Sequence, residues 1–66
     1  MELVVKSKKL GREVRFVTQG AYVFVDPTAL SWGKQVFDRH GNAAVAKTED
    51  QVRAVAKAYL RRIVAI

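Results

Sequence analysis

Arg53, Lys57 and Arg61 recur every four residues near the end of the sequence, with Arg62 beside them. Four-residue spacing puts such cations on one face of a helix, where they suit contact with the phosphates of a polyanion. No acidic residue follows Asp50, so Lys57, Arg61 and Arg62 have no local partner, although Glu49 can pair with Arg53. A second set lies in the first half of the chain. Lys6, Arg15, Val17, Tyr22 and Phe24 are expected on the sheet face turned away from the helix, and cations interleaved with aromatics suit base stacking or insertion into a duplex groove. Each set also has a plain reading. The helix stripe is then a solvated charged face, and Tyr22 and Phe24 are covered by the 27–33 loop with Trp32 folded back over them.

Catalytic chemistry has little to work with. His40 is the only histidine, set between Arg39 and Gly41 in an expected turn, and there is no cysteine. Ser7 and Ser31 have no base near them in sequence, and Asp26 and Asp38 occupy positions where aspartate caps turns. One histidine and scattered carboxylates match no metal-ligand spacing. The four glycines stand singly, not as a phosphate-binding loop. The expectation is no enzyme, no metal and no cofactor.

The charge balance agrees with a polyanionic partner. Twelve Lys and Arg oppose six Asp and Glu, a formal charge of +6. Residues 1–20 carry five bases and two acids, residues 21–50 three and four, and residues 51–66 four and none. Both ends are therefore basic and the middle is nearly neutral, a pattern that favours nucleic acid over an anionic membrane or acidic protein surface. Without cysteine the fold must be held by packing alone. No apolar run approaches the roughly 18 residues of a membrane span, and the N-terminus lacks the apolar core of a signal peptide, so a cytoplasmic protein is expected.

Sixty-six residues make one small domain, which needs a well-patterned core. The clearest element is a helix over about 48–64. Val52, Val55, Ala56, Tyr59, Leu60 and Ile63 fall on one face, Thr48 and Gln51 form a capping pair, and Glu49 and Asp50 lie at the positive end of its dipole. Before it, residues 2–7, 12–18 and 21–25 alternate as strands, with Lys8 to Gly11 as a basic turn and Gln19-Gly20 as a hairpin turn. Asp26-Pro27-Thr28 stops the third strand. For residues 28–40 a loop and then a hairpin is preferred to a short helix, with Gln35 to Phe37 entering an Asp38–Asn42 turn and Ala43 to Lys47 returning as a fourth or fifth strand. The fold class is α+β: an antiparallel meander of three to five strands over about 2–47, packed against one C-terminal helix. Leu3, Val5, Val14, Phe16, Val23, Val25, Val52, Val55, Tyr59, Leu60 and Ile63 are the expected core.

The run Gly20-Ala21-Tyr22-Val23-Phe24-Val25-Asp26-Pro27, followed by Gly33-Lys34 and the terminal helix, resembles the arm-type DNA-binding domains of phage integrases. The resemblance covers roughly residues 12–64. It departs from the family pattern in the five residues between Pro27 and Gly33 and in the hairpin at 38–42. It implies that a three-stranded sheet faces DNA, with Lys6, Arg15, Tyr22, Phe24 and Lys34 on that face and the helix supporting it from behind.

Two classes of function follow. The first is a small basic module that binds nucleic acid, DNA above all, through Lys6, Arg15, Tyr22, Phe24 and Lys34 on the sheet, through Arg53, Lys57, Arg61 and Arg62 on the helix, or through both. The second is a small interaction protein of phage or mobile-element type that docks on a host protein complex and modulates or inhibits it, anchored by Tyr22, Phe24 and Trp32. Self-association is a further expectation, because Ile63-Val64-Ala65-Ile66 is more apolar than one helix face needs and Val64 and Ile66 would meet a second copy.

Overall fold

The computed structural model describes residues 1–64; Ala65, Ile66 and the side chain of Val64 lie outside the described residues, as does the expected contact of Val64 and Ile66 with a second copy. Four strands follow one another as an antiparallel meander, β1 (Glu2–Ser7), β2 (Arg12–Gln19), β3 (Tyr22–Val25) and β4 (Lys34–Gln35), in the spatial order β1-β2-β3-β4. One helix, α1 (Glu49–Val64), packs across a face of this sheet. The α+β architecture expected from the residue pattern is the one observed.

Period-two alternation decides which residues face α1. Leu3 opposes Phe16 and Phe16 opposes Val25, while Val5 opposes Val14, so each inward row is apolar from strand to strand. A one-residue slip would turn all of these to solvent, which fixes the register. Phe16 sits at the centre, fully buried, with the Tyr59 ring edge-on to it at 5.9 Å between centroids. Val52 and Ala56 come from α1 to complete the buried set, and Val55, Tyr59 and Leu60 flank them.

Thr48 starts the helix much as its type predicts. Its Oγ1 accepts the Gln51 N–H at 3.2 Å, and its carbonyl accepts the Val52 N–H at 3.0 Å. The reciprocal bond is displaced by one residue: Gln51 Oε1 accepts from the Lys47 N–H rather than from Thr48. Glu49 and Asp50 open the helix and Arg61 and Arg62 lie in its last turn, so the charges complement the dipole.

Residues 28–40 contain no helix. After β4 the Val36 N–H still donates to the Val23 carbonyl, and the chain then folds on itself. Phe37 bridges Ala43, the Ala44 N–H donates to Val36, and Gly41 holds the left-handed φ of +84° that the turn requires. The return limb differs from the expected strand. Residues 43–47 make only isolated bridges, Phe37 to Ala43 and Tyr22 to Val45, because alanine offers little surface to a strand and the limb splits its pairing between two neighbours. Its small side chains nevertheless bury Ala44 and Ala46, which with Val36 extend the core beyond the expected residues. Ile63 is corrected in the other direction. It has the inward phase but is 39% exposed, because α1 outruns the sheet by its last turn.

Candidate binding surfaces

The outer face of the sheet carries Glu2, Val4 and Lys6 from β1, Glu13, Arg15 and Val17 from β2, and Tyr22 and Phe24 from β3. Register sets their neighbours: Glu2 opposes Val17, Val17 opposes Phe24, Val4 opposes Arg15, and Lys6 opposes Glu13. Lys6, Arg15, Tyr22 and Phe24 therefore do share one face. Their charge does not accumulate there. Arg15 reaches diagonally to Glu2 at 3.1 Å, and Lys6 has Glu13 as its register neighbour without an ion pair, so two carboxylates offset two cations on this face. Lys34 does not join this face, because its register partner is the core residue Val25 and it carries the inward parity at the sheet margin.

The aromatic residues are only partly covered. Phe24 is half-buried, while Tyr22 and Trp32 remain about half exposed, at 50% and 52%. The 27–32 loop crosses the outer face elsewhere, over Glu2, Arg15 and Val17, and encloses with them a groove of about 650 Å³ whose other wall is Pro27, Leu30 and Trp32. The loop is directed there by Asp26, a non-glycine residue at φ +56°, whose N–H donates to the Arg15 carbonyl and whose carboxylate meets Arg12 at 3.4 Å.

Thr28 then ties the loop into a closed turn. Its Oγ1 accepts the N–H groups of Leu30 and Ser31 at 3.2 and 3.0 Å, its own N–H donates to the Ser31 carbonyl, and Ser31 Oγ accepts the Gly33 N–H. These bonds satisfy the backbone locally, which is why this stretch forms no helix. They also hold Leu30 at the tip, 97% exposed. Leu30 was not among the sequence candidates. The signal was available in Thr28-Ala29-Leu30-Ser31: two hydroxyl residues three apart around a lone leucine.

On α1, Arg53, Lys57 and Arg61 share the solvent flank, and Arg53 pairs with Glu49 at 3.3 Å. Arg62 does not lie beside them. It follows Arg53 by nine residues, about two and a half turns, and so projects from the opposite flank. There its guanidinium donates to the Phe37 carbonyl, tying the end of α1 to the 36–44 hairpin. Among the described residues, the part of the stripe with no carboxylate partner is therefore Lys57 and Arg61. The Lys8-Lys9 turn adds two further exposed cations; its chain reversal is closed by the Gly11 N–H on the Ser7 carbonyl at 2.9 Å.

Asp38 accepts the backbone N–H groups of Asn42 at 2.9 Å and His40 at 2.8 Å. The Asn42 bond is the main reason its carboxyl lies below the ordinary aspartate value; desolvation opposes it, and the His40 bond, the nearby imidazole and the Arg62 guanidinium add to the lowering. That arrangement is a turn cap. Among the described residues no three His, Cys, Asp or Glu side chains converge as a metal site, and no helix is long and apolar enough to cross a membrane. No family model, curated protein or solved structure matches this chain, so its function is read from the surfaces above.

Proposed function

We propose that this chain is a small non-catalytic module, working in the cytoplasm, that binds nucleic acid, DNA above all, through phosphate contacts. The observation that carries this reading is the imbalance of its ion pairs. Among the described residues, Arg12, Arg15 and Arg53 are the cations that reach a carboxylate within ion-pair distance and Arg62 is engaged at the Phe37 carbonyl, so the excess of positive charge is turned to an external anion. Lys57 and Arg61 on the open flank of α1 and Lys8 and Lys9 in the first turn are the proposed contacts. The sheet residues Lys6 and Arg15 are assigned a smaller part, since Glu13 and Glu2 stand against them. This places phosphate contact at cations rather than reading bases with Tyr22 and Phe24, and it departs in that respect from what the integrase-like pattern implies.

Binding of labelled duplex and single-stranded oligonucleotides, followed by anisotropy between about 50 and 200 mM salt, tests the reading. Three or four phosphate contacts give a log-log salt slope of about −2 to −4. Lys57→Glu with Arg61→Glu is expected to weaken binding severalfold more than Arg15→Glu does. Undetectable binding of both oligonucleotides at about 50 mM salt would sink the proposal.

A second reading is supported by the loop. A leucine 97% exposed on a hydrogen-bonded tip, beside Trp32 and a groove, is a preformed apolar anchor that phosphate binding does not use. Under this reading the outer sheet face docks on a host protein, as a small phage or mobile-element protein that modulates a host complex would. A single stoichiometric partner that survives nuclease treatment, and is lost with Leu30→Asp, would favour it over nucleic acid.

A further inference from the structure

β1 is an outer strand of the sheet, and no element among the described residues pairs with its free edge. The direction of its backbone groups follows from one bond. The Met1 carbonyl accepts the Thr18 N–H at 2.9 Å, so the odd-numbered residues of β1 turn toward β2. Strand alternation then points the N–H and C=O groups of Glu2, Val4 and Lys6 away from the sheet. The same three residues place their side chains together on the outer face, in the order acid, apolar, base.

We propose that this edge pairs with the β1 edge of a second copy of the chain, antiparallel and centred on Val4, joining two four-stranded sheets into one of eight strands. In that register Glu2 lies across from Lys6 of the second copy, Lys6 lies across from its Glu2, and Val4 meets its Val4. The two-fold axis passes between the valines, and each copy offers the same patch, as a closed dimer requires. Each of the three facing positions exchanges two backbone hydrogen bonds.

The charge order selects this pairing over its neighbours. Centring on Glu2 would set two carboxylates opposite each other, and centring on Lys6 would set two ammonium groups opposite each other. Aligned parallel strands would also bring like charges together. Like charges directly opposite destabilise a strand pair and opposite charges stabilise it, so only the Val4-centred antiparallel register is matched at every position. Charges on edge strands commonly repel further strands. Here one acid and one base, two residues either side of an apolar residue that is itself exposed, turn that repulsion into a fit with a copy of itself. Among the described residues Lys6 has Glu13 across from it but no carboxylate within ion-pair distance, and Glu2, which holds Arg15 at 3.1 Å, would share its carboxylate between Arg15 and the Lys6 of the second copy. Three facing residues per chain make a small interface, and the dimer is correspondingly weak, with a Kd on the order of 100 µM.

Sedimentation of the intact chain from about 10 µM to 1 mM tests this, with hydrogen exchange at the Glu2, Val4 and Lys6 amides as a second readout. A concentration-dependent dimer is expected, with those three amides slowing as it forms. Lys6→Glu and Glu2→Lys are each expected to weaken self-association about tenfold or more, while an equimolar mixture of the two associates, since each then faces its opposite. Val4→Pro is the control for fold. The Val4 N–H faces the free edge, so proline removes a pairing group without removing a bond inside the sheet. Helical circular dichroism is expected to survive in this variant while the dimer is lost. A chain that stays monomeric to 1 mM with freely exchanging edge amides would overturn the proposal and leave the edge for a strand of another protein. A dimer indifferent to Val4→Pro and to both charge reversals would overturn it too, and assign association to another surface.

Discussion

Gly33 is pressed against the carbonyl of Val25: a β-carbon at position 33 would stand 2.2 Å from that oxygen and 2.7 Å from the carbonyl oxygen of Asp26. Both neighbours are backbone, and Val25 is a buried strand residue, so neither can swing aside. Gly33 also has φ +90°, where any side chain is strained. Gly33→Ala is therefore expected to cost about 2–3 kcal/mol or more, read as a lowered midpoint in urea. Gly20→Ala, with open space around its β-carbon, should cost only about 1–2 kcal/mol, the penalty of its left-handed φ alone. Equal midpoints for the two variants would contradict this account of how the 26–33 loop is seated.

The same contact marks where the sequence stops being legible. Strong periodicity gave the strands around Val14, Phe16, Val23 and Val25 and the helix through Val52, Ala56 and Tyr59, because each repeats its burial at a fixed interval. The 26–33 loop has no period. Its path depends on Asp26 in a left-handed conformation and on the bonds of Thr28, and neither leaves a repeating trace. Charge was legible in amount and not in arrangement. Arg15 and Lys6 read as a basic face until strand register put Glu2 and Glu13 against them. Arg62 read as part of a stripe until its long side chain found the Phe37 carbonyl, a partner 25 residues away.

Phe16 and Tyr59 join the sheet to the helix, and the small core makes that junction sensitive. Deleting a buried phenylalanine side chain costs about 3–5 kcal/mol, against a total stability of about 3–10 kcal/mol for a domain of 66 residues. Phe16→Ala is expected to abolish the cooperative thermal transition and most of the helical circular dichroism. Tyr59→Leu keeps most of the buried surface and loses the edge-to-face contact, a cost of about 0.5–1.5 kcal/mol. A folded Phe16→Ala variant with a sharp transition would show that another residue centres this core.

Acid should loosen the 38–42 turn only below the ordinary aspartate range. The N–H groups of Asn42 and His40 favour the ionised Asp38 carboxylate, so its folded pKa lies below its unfolded one. Such a group stabilises the fold above the unfolded pKa of about 3.9, and that contribution disappears as pH falls through the lower folded value. An NMR titration is expected to give an Asp38 midpoint below the ordinary one, with the His40 and Asn42 amides shifting along the same curve. In Asp38→Asn the two amides should lose that transition. A midpoint at or above the ordinary value would mean that these hydrogen bonds do not persist in solution.

Leu30 and Thr28 separate what the loop tip does from what holds it. Leu30 is 97% exposed, so replacing it changes almost no buried area, and Leu30→Ser is expected to leave stability within about 0.5 kcal/mol. Thr28 behaves differently although it too is exposed, because its Oγ1 accepts the N–H groups of both Leu30 and Ser31. Thr28→Ala hands those two donors to water and frees the turn, at a cost of about 0.5–1.5 kcal/mol, whereas Thr28→Ser keeps the acceptor and most of the stability. Backbone amide exchange at Leu30 and Ser31 reads this directly: faster in Thr28→Ala, little changed in Thr28→Ser and in Leu30→Ser. If the tip serves as an anchor, capture of a protein partner should fall in Thr28→Ala as well as in Leu30→Ser. Loosening the turn adds an ordering cost to docking even though the leucine is still present. Partner capture that depends on Leu30 and ignores Thr28 would mean that the leucine is used without the preformed turn.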